Sequence, residues 1–552
     1  MGRILPQTAI REAPRLRTPP MTESSPARTD RRPPGRLAYA GFGLVATLAG
    51  VAAGHLVASF LEPGSSPVLA VGSAVIDATP TPMKEWAIRT FGSADKLILV
   101  GSVMAGVLVL AAIAGVLTRR RFAVGAAMLV VLTAFPAVAA LTRAGSTPLD
   151  VLPSVVAAVV GVAALRALDL VATRGSLRRR DDAATGEGGE AGEAPATRGA
   201  SRRGVLVGSG VMLALAAVMG GAGRLVTQLR GKVTEVTFPT PASPAPAFPE
   251  GIEGRFAQIS PLRVANADFY RVDTRLDVPL VDMEGWTLTI DGDVENEMTF
   301  TFQDLLDMPL IERDITLTCV SNNVGGPYVG GARWIGVRLT DLLDMAGVGS
   351  KADQILSTDF DGMTISTPLD IATDGRDAMI ALGMNGEVLP REHGYPARMI
   401  VPGLYGFISA TKWIERITLT TYAERTSYWT DRDWDTDAPI KPMARIDTPP
   451  GLQEIPSGKT VIGGVAWAQF DGGVMKVQVQ IDGEGWQDAE LGPDVNNVYW
   501  RQWYYEWDAA EGGHNISARV VDGNGEVQTD ARAEPFPNGA SGVQALIVNV
   551  GA

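Results

Sequence analysis

The stretch ITLTCVSNNVGGPYVGGARWIGVRL, residues 315–339, contains Cys319, the only cysteine of the chain. The alternation of apolar residues and threonine before Cys319 predicts a strand that ends at the thiol. A lone cysteine there is most often a buried small hydrophobe. Four glycines follow it before Trp334, however, and glycine lets a ligand approach the backbone closely. Since a thiolate binds soft or high-valent metals, the stretch also fits a metal site.

Two other roles for Cys319 depend on histidine. A structural zinc site needs four nitrogen or sulfur ligands, and it would take the single cysteine and all three histidines of the chain, His55, His393 and His514. Zinc is therefore disfavoured. A catalytic cysteine–histidine pair with His393 as the base remains an alternative, although no protease or transferase motif surrounds Cys319. A single cysteine also excludes an internal disulfide.

Charge is divided unevenly along the 552 residues. Residues 1–232 carry 26 basic and 14 acidic side chains, a net charge of +12. Residues 233–552 carry 22 basic and 47 acidic side chains, a net charge of -25. The first part is strongly apolar and the second has a globular composition. An acidic domain repels phosphate backbones, so nucleic acid is excluded as a partner.

Apolar runs in the first part predict transmembrane helices, because each approaches the roughly 20 residues that cross a bilayer. The five runs are 37–61, 97–117, 122–142, 151–172 and 204–222. The shorter run SPVLAVGSAVIDATP, residues 66–80, is interpreted as an interfacial or loop segment. Arginines concentrate in the N-terminal tail, the 118–121 turn and the 173–203 loop, which places these parts in the cytoplasm. Everything after residue 222 is then expected outside it.

Arg202 and Arg203 precede the fifth apolar run directly. The pair either follows the positive-inside rule or forms a twin-arginine export signal within the chain, and both interpretations remain open. A twin-arginine signal would let the following domain load a cofactor before export. Five prolines between 239 and 249 then predict a semi-rigid spacer.

The remainder divides into two globular parts. Strand-like alternation in WTLTIDGDV and short helical patterns such as LTDLLDMAGV predict an α+β domain. From about residue 450 the pattern is purely strand-like, as in MKVQVQIDGEGW, which predicts an all-β sandwich of immunoglobulin type. The expected order is a cytoplasmic tail (1–36), four transmembrane helices (37–172), a disordered cytoplasmic loop (173–203), a fifth helix (204–222), a proline-rich linker (223–251), the α+β domain (252–445) and the sandwich (446–552).

A second motif, GMNGEVLPREHGYPARMIVPGLYGFISATKWI, occupies residues 383–414. Together with Cys319, Trp334 and the segment NADFYRVDT, it resembles the sulfite oxidase family of molybdenum-cofactor enzymes over about residues 255–550. The resemblance implies a molybdopterin-binding oxidoreductase domain at 252–445, followed by the family's immunoglobulin-like dimerisation domain, and hence a homodimer. It implies oxygen-atom transfer with molybdenum–molybdopterin as the cofactor.

The resemblance also assigns residues. Cys319 is implied as the protein ligand to molybdenum, and Trp334 is expected beside it as a second catalytic residue. The implied cofactor-binding residues are Asn266, Phe269, Tyr270, Cys319, Asp359, His393, Arg398, Ala410, Thr411 and Lys412. Arg398 offers a planar fork of donors to phosphate oxygens, and His393 can donate or accept at a pterin edge.

The chain departs from the family where sulfite binds. Family sulfite oxidases surround the metal with arginines and a tyrosine, whereas this chain has Asn322 and Asn323 behind the cysteine and Trp434 in place of the tyrosine. A small dianion then loses most of its attraction, so a neutral S-oxide or N-oxide, free or on a protein, is the expected substrate. Arg333 or Arg338 could restore the charge by folding back, and sulfite oxidation remains an alternative. A cofactor-free surface-binding module is the alternative from another class.

Electron transfer needs a second component. The five apolar runs contain one histidine, His55, so a haem held by two histidines is not expected from this chain alone. A separate donor or acceptor, either a quinone or a redox protein, is therefore expected as a partner.

Overall fold

The computed structural model describes residues 35–91, 94–143, 146–184 and 202–551. Among the described residues, the N-terminal part is mainly helical. Its helices are α1 (Arg36–Phe60), α2 (Pro67–Ala78), α3 (Thr81–Phe91), α4 (Asp95–Thr118), α5 (Phe122–Leu141), α6 (Leu152–Ala184) and α7 (Arg202–Arg230). Among the described residues, five of these helices, α1 and α4 to α7, are long and apolar enough to cross a membrane. They coincide with the five predicted runs.

Three boundaries differ from the sequence-based expectations. Helix α7 continues to Arg230, so the first part of the predicted linker is helical. Residues 173–184 continue α6 rather than belonging to a disordered loop, while 185–201 and the tail 1–34 lie outside the described residues. The run 66–80 forms helix α2, which has 12 residues and is too short to cross a bilayer.

Glycine allows the apolar helices to pack closely. A Cβ added to Gly43 of α1 would collide with the backbone of Ala111 in α4, and one added to Gly50 would collide with that of Ala157 in α6. Small residues at such crossings permit the backbone contact that holds helices together in an apolar solvent. In the same bundle, the hydroxyl of Tyr39 donates a hydrogen bond of 3.1 Å to Asp169.

One end of this helical bundle contacts the rest of the chain. Arg230, at the end of α7, donates hydrogen bonds to the carbonyls of Ser59 and Leu61 at the end of α1. Arg143, which follows α5, forms a 3.0 Å ion pair with Asp361 of the α+β part. The ends of α1, α5 and α7 therefore lie on the side of the globular domains.

The α+β part contains two sheets within residues 252–445. Its elements are β1 (Thr287–Gly292), β2 (Met298–Thr301), α8 (Phe302–Leu306), β3 (Leu310–Thr318), β4 (Val329–Arg338), α9 (Leu339–Ala346), β5 (Gln354–Asp359), β6 (Thr364–Pro368), α10 (Leu369–Ala372), β7 (Met379–Met384), β8 (Glu387–Val388), β9 (Arg398–Ile400), α11 (Gly406–Ser409) and β10 (Ile414–Thr420). The sheet orders are β2-β1-β10-β5-β6 and β3-β4-β7-β8, with β9 paired to β7. The mixed α and β architecture confirms the predicted class.

The C-terminal part is all β. Its strands are β11 (Met443–Thr448), β12 (Glu454–Pro456), β13 (Gly458–Trp467), β14 (Val474–Ile481), β15 (Gln487–Asp488), β16 (Glu490–Leu491), β17 (Arg501–Ala509), β18 (Gly512–Asp522) and β19 (Gln544–Gly551). They form sheets of order β11-β13-β17-β16 and β12-β19-β18-β14-β15, with an apolar core formed by residues of both. Val477 and Val479 are buried in this core, as their alternation predicts. The immunoglobulin classification stays a prediction.

The two globular parts share a core instead of meeting at a loose linker. Tyr499 and Trp500, which precede β17, are buried in the α+β core and both donate hydrogen bonds to the carbonyl of Leu262, at 3.0 and 2.7 Å. Gly331 of β4 lies directly beneath these rings, where a Cβ would come within 2.5 Å of the Tyr499 hydroxyl. The strand that follows the glycine-rich loop is therefore fixed by the C-terminal part.

We expect Gly331→Ala to destabilise the protein, because two buried rings would have to move. Overpacking of this kind costs roughly 1–3 kcal/mol. Gly485→Ala is the matched control, since a Cβ there meets nothing within 4 Å. A lower thermal unfolding midpoint for Gly331→Ala, with no change for Gly485→Ala, is the expected result. Equal midpoints would show that the packing at Gly331 is loose.

Candidate active site

Cys319 lies at the end of β3, at the start of a loop that is closed by its own hydrogen bonds. Its N–H donates to the carbonyl of Tyr328 at 3.0 Å, and the N–H of Asn322 donates to the carbonyl of Cys319. The side-chain oxygen of Asn322 accepts the N–H of Tyr328 at 2.9 Å. Gly325 turns the loop at φ 78°, a conformation that glycine adopts without strain. The loop therefore holds the thiol in one position at the strand end.

The thiol faces a cavity of about 460 Å³. Nine of the predicted site residues line it, and they come from segments far apart in the chain: Phe269, Tyr270, Cys319, Asp359, His393, Arg398, Ala410, Thr411 and Lys412. A largely apolar cavity with a few convergent polar groups is the usual form of a cofactor site. Burial raises the pKa of the Cys319 thiol, while hydrogen bonds from Ser321 and the charge of Lys412 oppose this effect.

Arg398 is a buried cation whose charge is not neutralised by an acid. Its guanidinium donates to the carbonyls of His393 and Ala410, at 3.1 and 3.3 Å, and lies 5.3 Å from the ring centre of Trp334. Its Nε has no partner, and no carboxylate of the described residues forms an ion pair with it. Burial lowers its pKa to about 10. Because an unpaired buried charge is costly, the cavity is suited to receive an anion here.

His393 is neutral at pH 7. Burial lowers its pKa to about 4, although its hydrogen bond to Asn266 acts in the opposite direction. Nε2 lies 3.0 Å from the backbone carbonyl of Asn266, so Nε2 carries the proton. In that tautomer Nδ1 is an acceptor. The ring also packs edge-on against Phe269, with centroids 5.4 Å apart.

Asp273 connects the site to the helical bundle. Its carboxylate accepts Lys412 at 2.7 Å, Arg271 at 2.7 Å and, from α4, Lys96 at 3.0 Å. Burial alone would raise the pKa of Asp273, but these three cations hold it well below its usual range. Burial lowers the pKa of Lys412 to about 8 against the pull of Asp273, which leaves its ammonium charged at pH 7.

Arg275, another residue of the cavity wall, forms two ion pairs. Arg275 binds Asp359 at 2.6 Å and Asp361 at 2.5 Å. Asp359 also accepts the N–H groups of Asp361 and Met363, both at 2.9 Å. Both oxygens of Asp359 are thus engaged within the protein, so Asp359 shapes the cavity by holding Arg275.

Comparison with known proteins agrees with this arrangement. Residues 275–429 match the model of the oxidoreductase molybdopterin binding domain. The chain is 30% identical over 306 residues to the mitochondrial sulfite oxidase of Rattus norvegicus, covering 47% of this chain and 56% of that protein. It is 33% identical over 183 residues to the NADH nitrate reductase of Solanum lycopersicum, covering 28% and 20%.

The catalytic region belongs to the sulfite oxidase family of molybdopterin-dependent oxidoreductases. The chain spans about half the length of the sulfite oxidases that it matches. The crystal structure of the sulfane dehydrogenase SoxCD from Paracoccus pantotrophus aligns with 52% of this chain and 84% of that chain, at 23% identity and a TM-score of 0.46.

The residues of this oxidoreductase fit a molybdopterin. The partnerless Nε of Arg398 and the ammonium of Lys412 suit the phosphate, and the Nδ1 acceptor of His393 suits a ring N–H. The Cys319 sulfur is available on the cavity wall as a soft ligand for molybdenum. Phe269 and Tyr270 supply stacked rings, 5.2 Å apart, on the same wall.

Two predicted site residues do not line the cavity. The side chain of Asn266 is turned toward Met384, Glu387 and Asn385, and only its backbone carbonyl serves the site through His393. Trp334 is fully buried and donates to the carbonyl of Ile315 at 3.1 Å. Its ring supports the guanidinium of Arg398 from behind, so we correct its assignment from a catalytic to a positioning residue.

Arg333 and Arg338, the two arginines that could have restored charge to a sulfite site, form ion pairs outside the cavity. Arg333 forms ion pairs with Asp314 at 2.7 Å and with Glu312 at 3.6 Å, and Arg338 pairs with Asp377 at 2.6 Å. None of these residues lines the cavity. Neither arginine folds back toward Cys319.

The sequence interpretation missed Asp273, Arg275 and Trp413 as residues of the cavity wall. The charged run RVDTR directly follows the Phe269–Tyr270 pair and was the available signal. It also missed that residues of helices α2 to α4 line the cavity. No sequence motif signals this, because the helices and the catalytic residues are far apart in the chain.

We expect Arg398→Met to purify with little pterin and molybdenum, because the phosphate would lose a charge-assisted partner worth about 1.5–3 kcal/mol. That loss corresponds to roughly 10- to 150-fold weaker cofactor binding. Arg416→Met is the control, since Arg416 is an exposed residue paired with Asp291. Pterin fluorescence and metal analysis provide the measurement. Full cofactor content in Arg398→Met would remove the phosphate assignment.

Proposed function

We propose that this chain is a membrane-anchored, extracytoplasmic molybdenum-cofactor oxidoreductase that reduces a neutral S-oxide or N-oxide by oxygen-atom transfer. The proposal rests on two residues that line the same cavity. Cys319 is partly exposed, and Arg398 is buried and forms no ion pair with a carboxylate of the described residues. When bound, the cofactor supplies two-electron oxygen-atom chemistry. The protein then supplies binding, orientation and exclusion of water.

The residues divide these tasks. Cys319 holds the metal, while Arg398 and Lys412 bind the anionic end of the cofactor. His393, being neutral, accepts a hydrogen bond without adding charge. Arg275 forms part of the cavity wall, and its charge is neutralised by ion pairs with Asp359 and Asp361. It therefore offers no unpaired charge to a substrate.

An aromatic wall supports the choice of a neutral substrate. Phe407, Trp429 and Trp434 line the cavity, and the ring of Trp434 lies 5.4 Å from Phe407 and 5.9 Å from Trp429. The indole N–H of Trp434 is buried and has no acceptor among the described residues. An oxide oxygen is the acceptor that this donor lacks, and apolar rings suit the alkyl groups of an S-oxide.

The placement outside the cytoplasm rests on the distribution of arginine and on the contacts of the bundle. The C-terminal ends of α1, α5 and α7 face the globular domains. The arginine triplet at 119–121 lies between α4 and α5, at the N-terminal end of α5, and therefore at the opposite end of the bundle. Arginine-rich ends remain in the cytoplasm. The catalytic domain then lies on the other side of the membrane.

We expect S-oxide or N-oxide reduction to exceed sulfite oxidation by at least about a hundredfold in kcat/KM. Sulfite would lack two charge-assisted hydrogen bonds of about 1.5–3 kcal/mol each, and every 1.36 kcal/mol corresponds to tenfold. Steady-state kinetics with a reduced dye and a panel of oxides, against sulfite with an oxidising dye, test this. Efficient sulfite oxidation would instead favour a sulfite dehydrogenase.

We expect Cys319→Ser to abolish turnover while the fold stays near wild type, because serine is nearly isosteric but offers a harder oxygen ligand. Turnover with a reduced dye and the thermal unfolding midpoint are measured together. Thr318→Ser, the neighbouring position in β3, is the control and should remain active. Full activity in Cys319→Ser would contradict the role of the thiol as the metal ligand.

A further inference from the structure

The cavity that contains Cys319 has a second wall, built by the helical bundle. Residues of α2, α3 and α4 line it, among them Ile76, Met83, Trp86, Phe91, Leu99 and Ser102. These side chains are mostly apolar or aromatic. The active-site cavity therefore extends from the catalytic domain to helices that are proposed to lie in the membrane.

This second wall is attached to the catalytic domain by polar contacts. Lys96 at the start of α4 binds Asp273 at 3.0 Å and the carbonyl of Arg275 at 2.6 Å. The hydroxyl of Tyr428 lies 3.3 Å from Asp77 of α2. Asp77 and Lys96, which lie on either side of α3, are thus both bound to the catalytic domain, so the wall is held in place beside the cavity.

The cavity also reaches along α4. Ser102 lies six residues beyond Lys96, which is about 9 Å along a helix axis. Ile98 is 43% exposed, and Met83 and Trp86 of α3 are 59% and 54% exposed. On the proposed placement of α4 in the membrane, these exposed apolar side chains would lie at the lipid boundary, and a molecule dissolved in the bilayer would reach the cavity from the side.

The reaction itself needs a two-electron donor, and the first 232 residues contain a single histidine, His55, as a potential haem ligand. We propose that the α2–α4 wall is the binding site of an isoprenoid quinol, which enters from the membrane and supplies the electrons for oxide reduction. This inference rests on the proposed function. Trp86 and Phe91 offer flat apolar surfaces for the quinone ring, and Lys84, which also lines the cavity, offers an ammonium to a quinone oxygen.

The overall reaction balances. The quinol loses two electrons and two protons and becomes a quinone. The S-oxide accepts the two electrons and two protons, its sulfur–oxygen bond breaks, and its oxygen leaves as water. The products are therefore a quinone, a sulfide and one water molecule.

Binding of a decyl-substituted benzoquinone to the detergent-solubilised full chain tests the site, with quenching of tryptophan emission as the readout. Saturable binding is expected for the wild type. Ser102→Phe should raise the Kd at least about tenfold, because the new ring would fill the part of the cavity that Ser102 lines. Lys84→Met is a second variant and should also weaken binding. Val109→Phe is the matched control, since Val109 is an exposed residue of α4 that does not line the cavity, and should bind as the wild type does.

Two outcomes would overturn the inference: no saturable binding to the wild type, or equal Kd values for Ser102→Phe and Val109→Phe. Turnover of the wild type separates this from the proposed function. Oxide reduction with a reduced dye but not with the decyl quinol would overturn the quinol site and leave the proposed function standing. Quinone binding as expected, without oxide reduction by either donor, would support the site and overturn the proposed function.

Discussion

The buried carboxylate of Asp273 is the interaction on which the arrangement of the two halves depends. It accepts Lys412 from the cofactor-binding segment, Arg271 from its own segment and Lys96 from an apolar helix. With its side chain only 6% exposed, this carboxylate is shielded from water, and removing one partner of a buried ion pair costs roughly 3–5 kcal/mol. Since Lys412 and Lys96 share one acceptor, a shift of the bundle would disturb the ammonium of Lys412 in the cavity wall. The bundle and the catalytic domain are therefore coupled at the active site itself.

Among the cations that line the cavity, several are paired with a carboxylate, whereas Arg398 is not. Lys412, Lys96 and Arg275 are all paired with aspartates, which fixes the walls of the cavity. Arg398 is the exception, because its only acceptors among the described residues are backbone carbonyls. A buried guanidinium in that state is stabilised further when an anion binds. The arrangement favours the cofactor as that anion and leaves a substrate to be recognised by the aromatic wall.

The sequence predicted the features that depend on local pattern. Five long apolar runs became apolar helices, and alternation in β1 and β14 placed Leu288 and Val477 in their cores. The family resemblance, carried by Cys319, the segment NADFYRVDT and the motif at 383–414, predicted nine of the residues that line the cavity. Side-chain direction was not predictable in the same way. Trp334 of β4 lies behind Arg398, since a strand side chain faces inward or outward according to pairing that the sequence does not display. Asn266 lies in a turn, and its side chain is directed by contacts with the distant residue Asn385.

The contribution of α2, α3 and α4 to the cavity was likewise beyond sequence patterns, and it changes how the N-terminal half is understood. A simple anchor would need only length and apolar composition. Here the bundle supplies Lys96 to a buried ion-pair network and Trp86 to the cavity wall. The Lys96 side chain, 29% exposed, reaches a carboxylate that is only 6% exposed, so the contact constrains both halves to one arrangement. In that arrangement residues of both halves line one cavity with Cys319, which makes the bundle a part of the candidate active site as well as its support.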